Sequence, residues 1–144
     1  MTAIKDYHRF LDEAGDPTFY GKGKVNIVGQ KGVSNVFILG MVKFREPLNQ
    51  IRKKVIELQS SINSDIYFEG VPSVEKRKQN SGFFFHACKD VPEIRKIFFD
   101  LIKTLDCSFE AVVARKIPAI FERKHHRQEK LFYADLLSHL LKDK

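Results

Sequence analysis

The sequence predicts a mixed α/β fold in which helices pack on a central sheet. Three observations point to this class. The 144-residue chain is 43% hydrophobic, which is enough for one packed core. Segments with helical periodicity alternate with short apolar runs of strand length. Their order is strand, strand, helix, loop, helix, strand, helix, so strands and helices share one core. We therefore expect a single domain over residues 1–144.

Two strands are predicted in the first part of the chain. Residues 7–12 form a short strand in which His8, Phe10 and Asp12 share one face. A Gly-Asp-Pro turn ends this strand, so the acidic residues that follow Leu11 lie at a strand end. The run VFILGMV at 36–42 is apolar on both faces, which is typical of a central strand covered by helices on both sides.

Two helices are predicted in the middle of the chain. Pro47 opens the first, whose apolar residues step by three and four. The second follows Asp90, which has the position of an N-cap, with Glu93 three residues on. Residues 63–82 lack periodicity, so they are expected to form a loop that is either functional or mobile.

A strand at 107–114, ended by Pro118, and a last helix at 128–141 complete the prediction. This helix is apolar around much of its circumference, which is typical of a helix buried on several sides. Only three residues follow Leu141. We therefore expect that the domain is truncated at its C-terminus, or that this helix pairs with a second copy of the chain.

Charge and composition limit the classes of function. The chain has 25 Lys and Arg against 18 Asp and Glu, a net charge of +7, which favours acidic or polyanionic partners such as nucleic acid. Two cysteines without a C-x-x-C motif exclude a disulfide scaffold and disfavour structural zinc. No signal peptide, membrane span or G-x-G-x-x-G motif is present. We expect a cytoplasmic protein without a membrane partner.

The first candidate site is an acidic cluster of three carboxylates, Asp12, Glu13 and Asp16. Like charges this close repel unless a cation neutralises them, and hard oxygen ligands suit Mg²⁺ or Mn²⁺. The alternative is ordinary turn chemistry, because Asp and Gly are favoured where a strand turns.

The second candidate site is the box FFFHACKD, which brings His86 to the start of a helix. This histidine could serve as a general base, a metal ligand or a donor to phosphate. It could equally be a half-buried ring beside the phenylalanines. Asp90, which follows it, has a purely structural explanation as an N-cap.

The third candidate site is a basic stretch over residues 115–130 that carries a net charge of +4. Such a stretch could follow a phosphate backbone, or it could be a solvated charged face. The cationic residues that we expect to contact nucleic acid are Arg115, Lys116, Arg123, Lys124 and Arg127.

The segments HRFLDEAGD, VFILGMV, FFFHACKD and VVARK with EKLFYADLLSHLL together resemble the family catalogued as domain of unknown function number 3800. That resemblance implies a ribonuclease H-like domain, with a mixed central sheet flanked by helices and a divalent metal held at the end of the first strand. It implies catalytic roles for Asp12, Glu13 and His86, and metal-binding roles for Asp12, Asp16 and Asp90. Family members are usually longer, so the resemblance implies a domain that is incomplete relative to the family.

The predicted function is that of a nuclease or phosphodiesterase that acts on nucleic acid with Mg²⁺ or Mn²⁺. The alternative is a catalytically silent module that binds nucleic acid or protein, in which the acidic cluster is a turn. A third possibility is a fragment whose last helix pairs with a second copy.

Overall fold

In the computed structural model, residues 8–80 and 85–142 are described. They form two compact units: one comprises residues 8–43 and 108–142, and the other residues 44–80 and 85–107. The second unit is thus inserted in sequence between two parts of the first. We call them the sheet unit and the helical unit. The first two phenylalanines of the FFFHACKD box, at 83 and 84, lie outside the described residues.

The sheet has three antiparallel strands, β1 (His8–Ala14), β2 (Val36–Phe44) and β3 (Cys107–Arg115), in the order β1-β2-β3. The prediction that the apolar run at 36–42 is the central strand is therefore confirmed. The coarse α/β class is also confirmed. A mixed sheet was expected, whereas the described strands form a purely antiparallel one.

The two faces of the sheet differ in burial. Phe37, Leu39 and Met41 of β2 are buried in the core, because alternate side chains of a strand point to the same face. The opposite face is more open: Phe109 and Val113 of β3 are 70% and 64% exposed. On this second face Ile38 and Val42 of β2 are half-buried, and the prediction that helices cover both faces of β2 stays a prediction.

Two helices, α4 (Pro118–His125) and α5 (Glu129–Leu141), supply the rest of this core. Helix α4 was not predicted, because Pro118 was interpreted only as the end of a strand. Proline is equally favoured in the first turn of a helix, where its missing N–H costs nothing. Phe121 of α4 stacks on Phe19 with 3.8 Å between ring centroids.

Helix α5 buries its apolar side within its own chain. Phe132, Leu136 and Leu140 lie in the same core cluster as Phe37 and Leu39. The sheet unit itself therefore covers one side of this helix, while Leu131 and Leu141 stay 38% and 39% exposed. The truncation of the domain stays a prediction. A dimer through α5 has no support from its packing.

The helical unit contains α1 (Leu48–Ser64), α2 (Pro72–Asn80) and α3 (Pro92–Thr104). The first and third match the predicted helices, while α2 occupies the segment that was expected to be a loop. Its nine residues include a single buried apolar position, Val74, so a periodic stripe could not be recognised. The small core of this unit consists of Ile62, Phe68, Val74 and Ile94.

The two ends of the helical unit are fastened to each other. The Arg45 guanidinium binds the Asp106 carboxylate at 2.9 Å, and the Asp106 amide donates to Glu46 at 2.8 Å. A backbone bond from Arg45 N–H to Asp106 C=O joins the same residues.

In the described part of the chain, no helix combines the length and the apolar character that a membrane crossing requires.

Candidate functional site

The acidic cluster lies where β1 ends and turns. The last residues of β1 include Asp12 and Glu13, and both are exposed. Gly15 follows with φ +87°, and a Cβ atom there would lie 2.7 Å from the carbonyl oxygen of Val36. Only glycine accommodates both this conformation and this close approach. The turn carries Asp16 away from the strand toward a buried lysine.

Asp16 is engaged by protein donors. Its Oδ1 accepts from the Thr18 amide at 3.0 Å and from Lys116 Nζ at 3.2 Å, and its Oδ2 accepts from the Ser34 amide at 3.2 Å. Burial alone would raise the pKa of Asp16, but the Ser34 amide, Lys116 and the Thr18 amide together outweigh it, and the pKa is lowered. Asp16 is thus part of a structural ion pair.

Lys116 is the buried half of this pair. Its side chain has 0% exposure, and its ammonium also donates to the carbonyl oxygens of Asp16 at 3.1 Å and Thr18 at 2.9 Å. All three donor positions of the ammonium are therefore used. The prediction that Lys116 contacts nucleic acid was wrong, because its charge is neutralised inside the protein.

Asp12 and Glu13 do not share a face of β1. Successive side chains of a strand point to opposite faces, so Asp12 lies with Phe10 and Glu13 lies with Leu11. Among the described residues neither carboxylate has an ion-pair partner, and Asp12 Oδ1 accepts only the Glu13 amide at 3.0 Å. The two carboxylates are thus unpaired within the described chain.

A shallow groove of about 270 Å³ lies beside this strand end. It is lined by the β1 residues Phe10, Leu11, Asp12, Glu13 and Ala14, the β2 residues Ile38, Gly40 and Val42, and Phe109 of β3. A Cβ atom on Gly40 would lie 3.1 Å from two ring atoms of Phe109. The glycine therefore leaves room for the Phe109 ring to lie across β2, and the exposed ring forms one wall of the groove.

The second candidate site lies in the helical unit, and the structure corrects one of its residues. The N-cap of α3 is Val91, not Asp90. The Asp90 carboxylate is buried, accepts the His86 amide at 2.5 Å and pairs with the guanidinium of Arg77. Asp90 thus closes the turn that begins at His86 and anchors α2 through Arg77. A metal ion at Asp90 would have to displace Arg77.

His86 is exposed and contacts a cysteine. Its Nδ1 lies 3.5 Å from Sγ of Cys88. Because the residue is exposed, the ring is not the half-buried side chain of the alternative interpretation. His86 and Asp12 belong to different units.

The basic stretch separates into paired and unpaired cations. Lys124 binds Asp135 at 2.7 Å and Arg127 binds Glu122 at 3.0 Å. Arg115 and Arg123 are exposed, and neither has an ion-pair partner among the residues that the structure describes. These two arginines are the predicted nucleic-acid contacts that remain fully available.

His125 belongs to the same stretch but faces inward. It is buried, and its Nε2 lies 3.1 Å from the Asp135 carboxylate. The pKa of Asp135 is lowered by its hydrogen bonds to Lys124 and His125 against the opposing effect of burial. This network fastens α4 to α5.

The partners of the buried charges were not predicted from the sequence. Arg77, which pairs with Asp90, and Lys116, which pairs with Asp16, lie 13 and 100 residues from their carboxylates. The one sequence signal for Lys116 is its position directly after an apolar strand. That position does not by itself predict burial, because a charged residue there is normally exposed.

Within residues 8–80 and 85–142, no group of three His, Cys, Asp or Glu side chains is arranged to hold a metal ion. No family model matches the chain, and no curated protein or solved structure matches it.

Proposed function

We propose that the chain is a ribonuclease H-like domain that binds Mg²⁺ or Mn²⁺ through Asp12 and cleaves phosphodiester bonds of nucleic acid. One observation carries this proposal: Asp12 is an exposed carboxylate beside an open groove and has no cationic partner in the described chain, whereas Asp16 of the same cluster is neutralised by Lys116. An unneutralised carboxylate at a surface is the group that a divalent cation binds.

The chemistry of Mg²⁺ fits a site with few protein ligands. This ion keeps several waters and is commonly held by one or two carboxylates together with phosphate oxygens of the substrate. Bound metal would supply Lewis-acid activation of the phosphate. The chain itself would contribute the Asp12 carboxylate to hold the ion and the Phe109 ring as a stacking surface for a nucleobase.

Not every residue of the predicted site enters this proposal. Asp16 and Asp90 already bind Lys116 and Arg77, and Glu13 faces away from Asp12. His86 belongs to the other unit, so the proposal does not depend on it.

Thermal unfolding in the presence of metal tests the binding step. Millimolar Mg²⁺ or Mn²⁺ should raise the Tm of the full chain, because a ligand that binds only the folded state stabilises it. Asp12→Asn should abolish the shift. Glu13→Gln removes the neighbouring charge on the opposite face of β1 and should keep most of it. Equal loss in both variants, or no shift in the wild type, would contradict a site at Asp12.

Cleavage of labelled single-stranded and duplex oligonucleotides tests the catalytic step. Metal-dependent products should appear with the wild type and be absent with Asp12→Asn. Cleavage that persists in Asp12→Asn at the wild-type rate would rule out the proposed role of this residue.

A second candidate function is a module that binds nucleic acid without cleaving it. The observation that favours it is the exposure of Arg115 and Arg123 without carboxylate partners among the described residues. Binding that weakens steeply with salt, without any metal-dependent product, would favour this function over the nuclease.

We also propose a cytoplasmic location, since Cys88 and Cys107 are both free thiols.

A further inference from the structure

Strand β1 is an open edge of the sheet formed by the described strands. There it pairs with β2 on one side only, and all seven of its residues are exposed. Two of them are large and apolar: Phe10 is 47% exposed and Leu11 is 42% exposed. An edge strand presents unpaired N–H and C=O groups, which form a template for a strand of another chain.

The sequence of β1 is complementary to itself when two copies run antiparallel. In a register centred on Leu11, each Leu11 lies opposite Leu11 of the second copy. Arg9 of each copy then lies opposite Glu13 of the other, so the pairing contains two opposite-charge contacts on either side of a central apolar contact. Directly opposed residues of antiparallel strands have their Cβ atoms about 5 Å apart, close enough for these contacts.

Arg9 and Glu13 cannot satisfy each other within one copy. Four residues of a strand span about 13 Å, and neither side chain has an ion-pair partner among the residues described. Both charges are thus available to a second copy, and their arrangement has the two-fold symmetry of an isologous dimer.

Charge and side-chain direction favour this register over its neighbours. If one strand slips by one residue, so that Leu11 lies opposite Phe10 or Asp12, every side chain of that strand turns to the opposite face. The two hydrophobic cores would then lie on opposite sides of the joined sheet. A register in which Asp12 lies opposite Asp12 places like charges directly together. A register centred on Phe10 places each Arg9 opposite Leu11 and separates it from any carboxylate directly across. In the register centred on Leu11, the two Asp12 residues lie only diagonally, and Phe10 is the residue opposite each of them.

We propose that β1 pairs with β1 of a second copy of this chain, antiparallel and centred on Leu11, to form one continuous sheet across a two-fold axis. The pairing is argued from Arg9, Leu11 and Glu13, whose side chains lie on the face of β1 opposite to Asp12. Its test measures association and not metal binding or cleavage, so the failure of one proposal is distinguishable from the failure of the other.

Sedimentation equilibrium of the full chain, with charge-reversal variants, tests this pairing. Arg9→Glu places two carboxylates directly opposite each other at both ends of the pairing and should weaken dimerisation by about tenfold or more. Glu13→Arg should do the same with two guanidinium groups. The double variant Arg9→Glu/Glu13→Arg recreates both ion pairs with the signs exchanged, and its dimer should return to within about threefold of the wild-type affinity. Lys31→Glu, at an exposed loop position of the same unit, makes the same change in charge as Arg9→Glu and should have no effect.

Three outcomes would overturn the proposal. One is a wild-type chain that stays monomeric at about 100 μM, the range in which weak specific contacts are populated. Another is a dimer that both single reversals leave intact. Failure of the double variant to recover would also reject the Arg9 to Glu13 register, since circular dichroism can show that this variant is folded.

Discussion

The acidic cluster at the end of β1 and the basic stretch that follows β3 look like separate functional surfaces in the sequence, but the structure joins one member of each. Asp16 and Lys116 form an ion pair inside the sheet unit, while Asp12 of the acidic cluster and Arg123 of the basic stretch stay exposed. Formal charge in a sequence therefore overstates what a surface presents. The members left without a partner are the ones available to a ligand.

The largest expected effect on stability comes from breaking the ion pair between Asp16 and Lys116. Lys116→Met keeps the volume of the side chain but removes its ammonium. The Asp16 carboxylate then keeps two backbone amide donors but loses its cation, and two carbonyl oxygens lose their donor. We expect the free energy of unfolding to fall by about 2–4 kcal/mol. Urea unfolding measures it, with Arg123→Met as the matched exposed control, expected within about 0.5 kcal/mol of the wild type. Equal effects of the two changes would contradict the burial of Lys116.

The turn that separates Asp16 from Asp12 provides the next test. Gly15→Ala combines a positive φ of +87° with an approach of 2.7 Å to the Val36 carbonyl, and we expect a loss of about 2–3 kcal/mol. Gly23→Ala is the matched control, because Gly23 has φ +74° but no atom within 4 Å of the added Cβ. It should cost about 1 kcal/mol. A loss at Gly15 no greater than that at Gly23 would exclude the steric contribution.

The pH dependence of stability gives a smaller effect. The pKa of Asp16 is lowered in the folded chain, so the unfolded state binds more protons at acidic pH. The stabilisation is complete above the unfolded pKa and is lost as pH falls through the folded one. Tm measured from about pH 6 to about pH 3 should fall less steeply for Asp16→Asn than for the wild type. Parallel curves would argue against the ion pair.

The exposed arginines should affect binding and leave stability almost unchanged. If the chain binds nucleic acid, Arg115→Ala and Arg123→Ala should each reduce the slope of log K against log salt by about 1. Their Tm values should stay close to that of the wild type. Fluorescence anisotropy with a labelled oligonucleotide measures the slope. Unchanged slopes in both variants would show that these arginines do not contact phosphate.

Helices with a strong apolar stripe were predictable, and helices without one were not. α1 and α3 follow from spacings of three and four, and β3 from a period of two. In α2, Val74 is the sole buried apolar residue, so its helical state depends on contacts with Ile62, Phe68 and Ile94. Proline at the start of α4 is compatible both with the end of a strand and with the first turn of a helix. Only the packing of the surrounding core distinguishes the two.

Local periodicity and composition were enough to predict the α/β class, the central position of β2 and the location of the acidic and basic residues along the chain. Which of those charges are free follows only from the folded chain. Lys116 meets Asp16 across 100 residues of sequence, and Arg77 meets Asp90 across 13. Coulomb energy and burial depend on distance in space, and separation along the chain does not specify that distance.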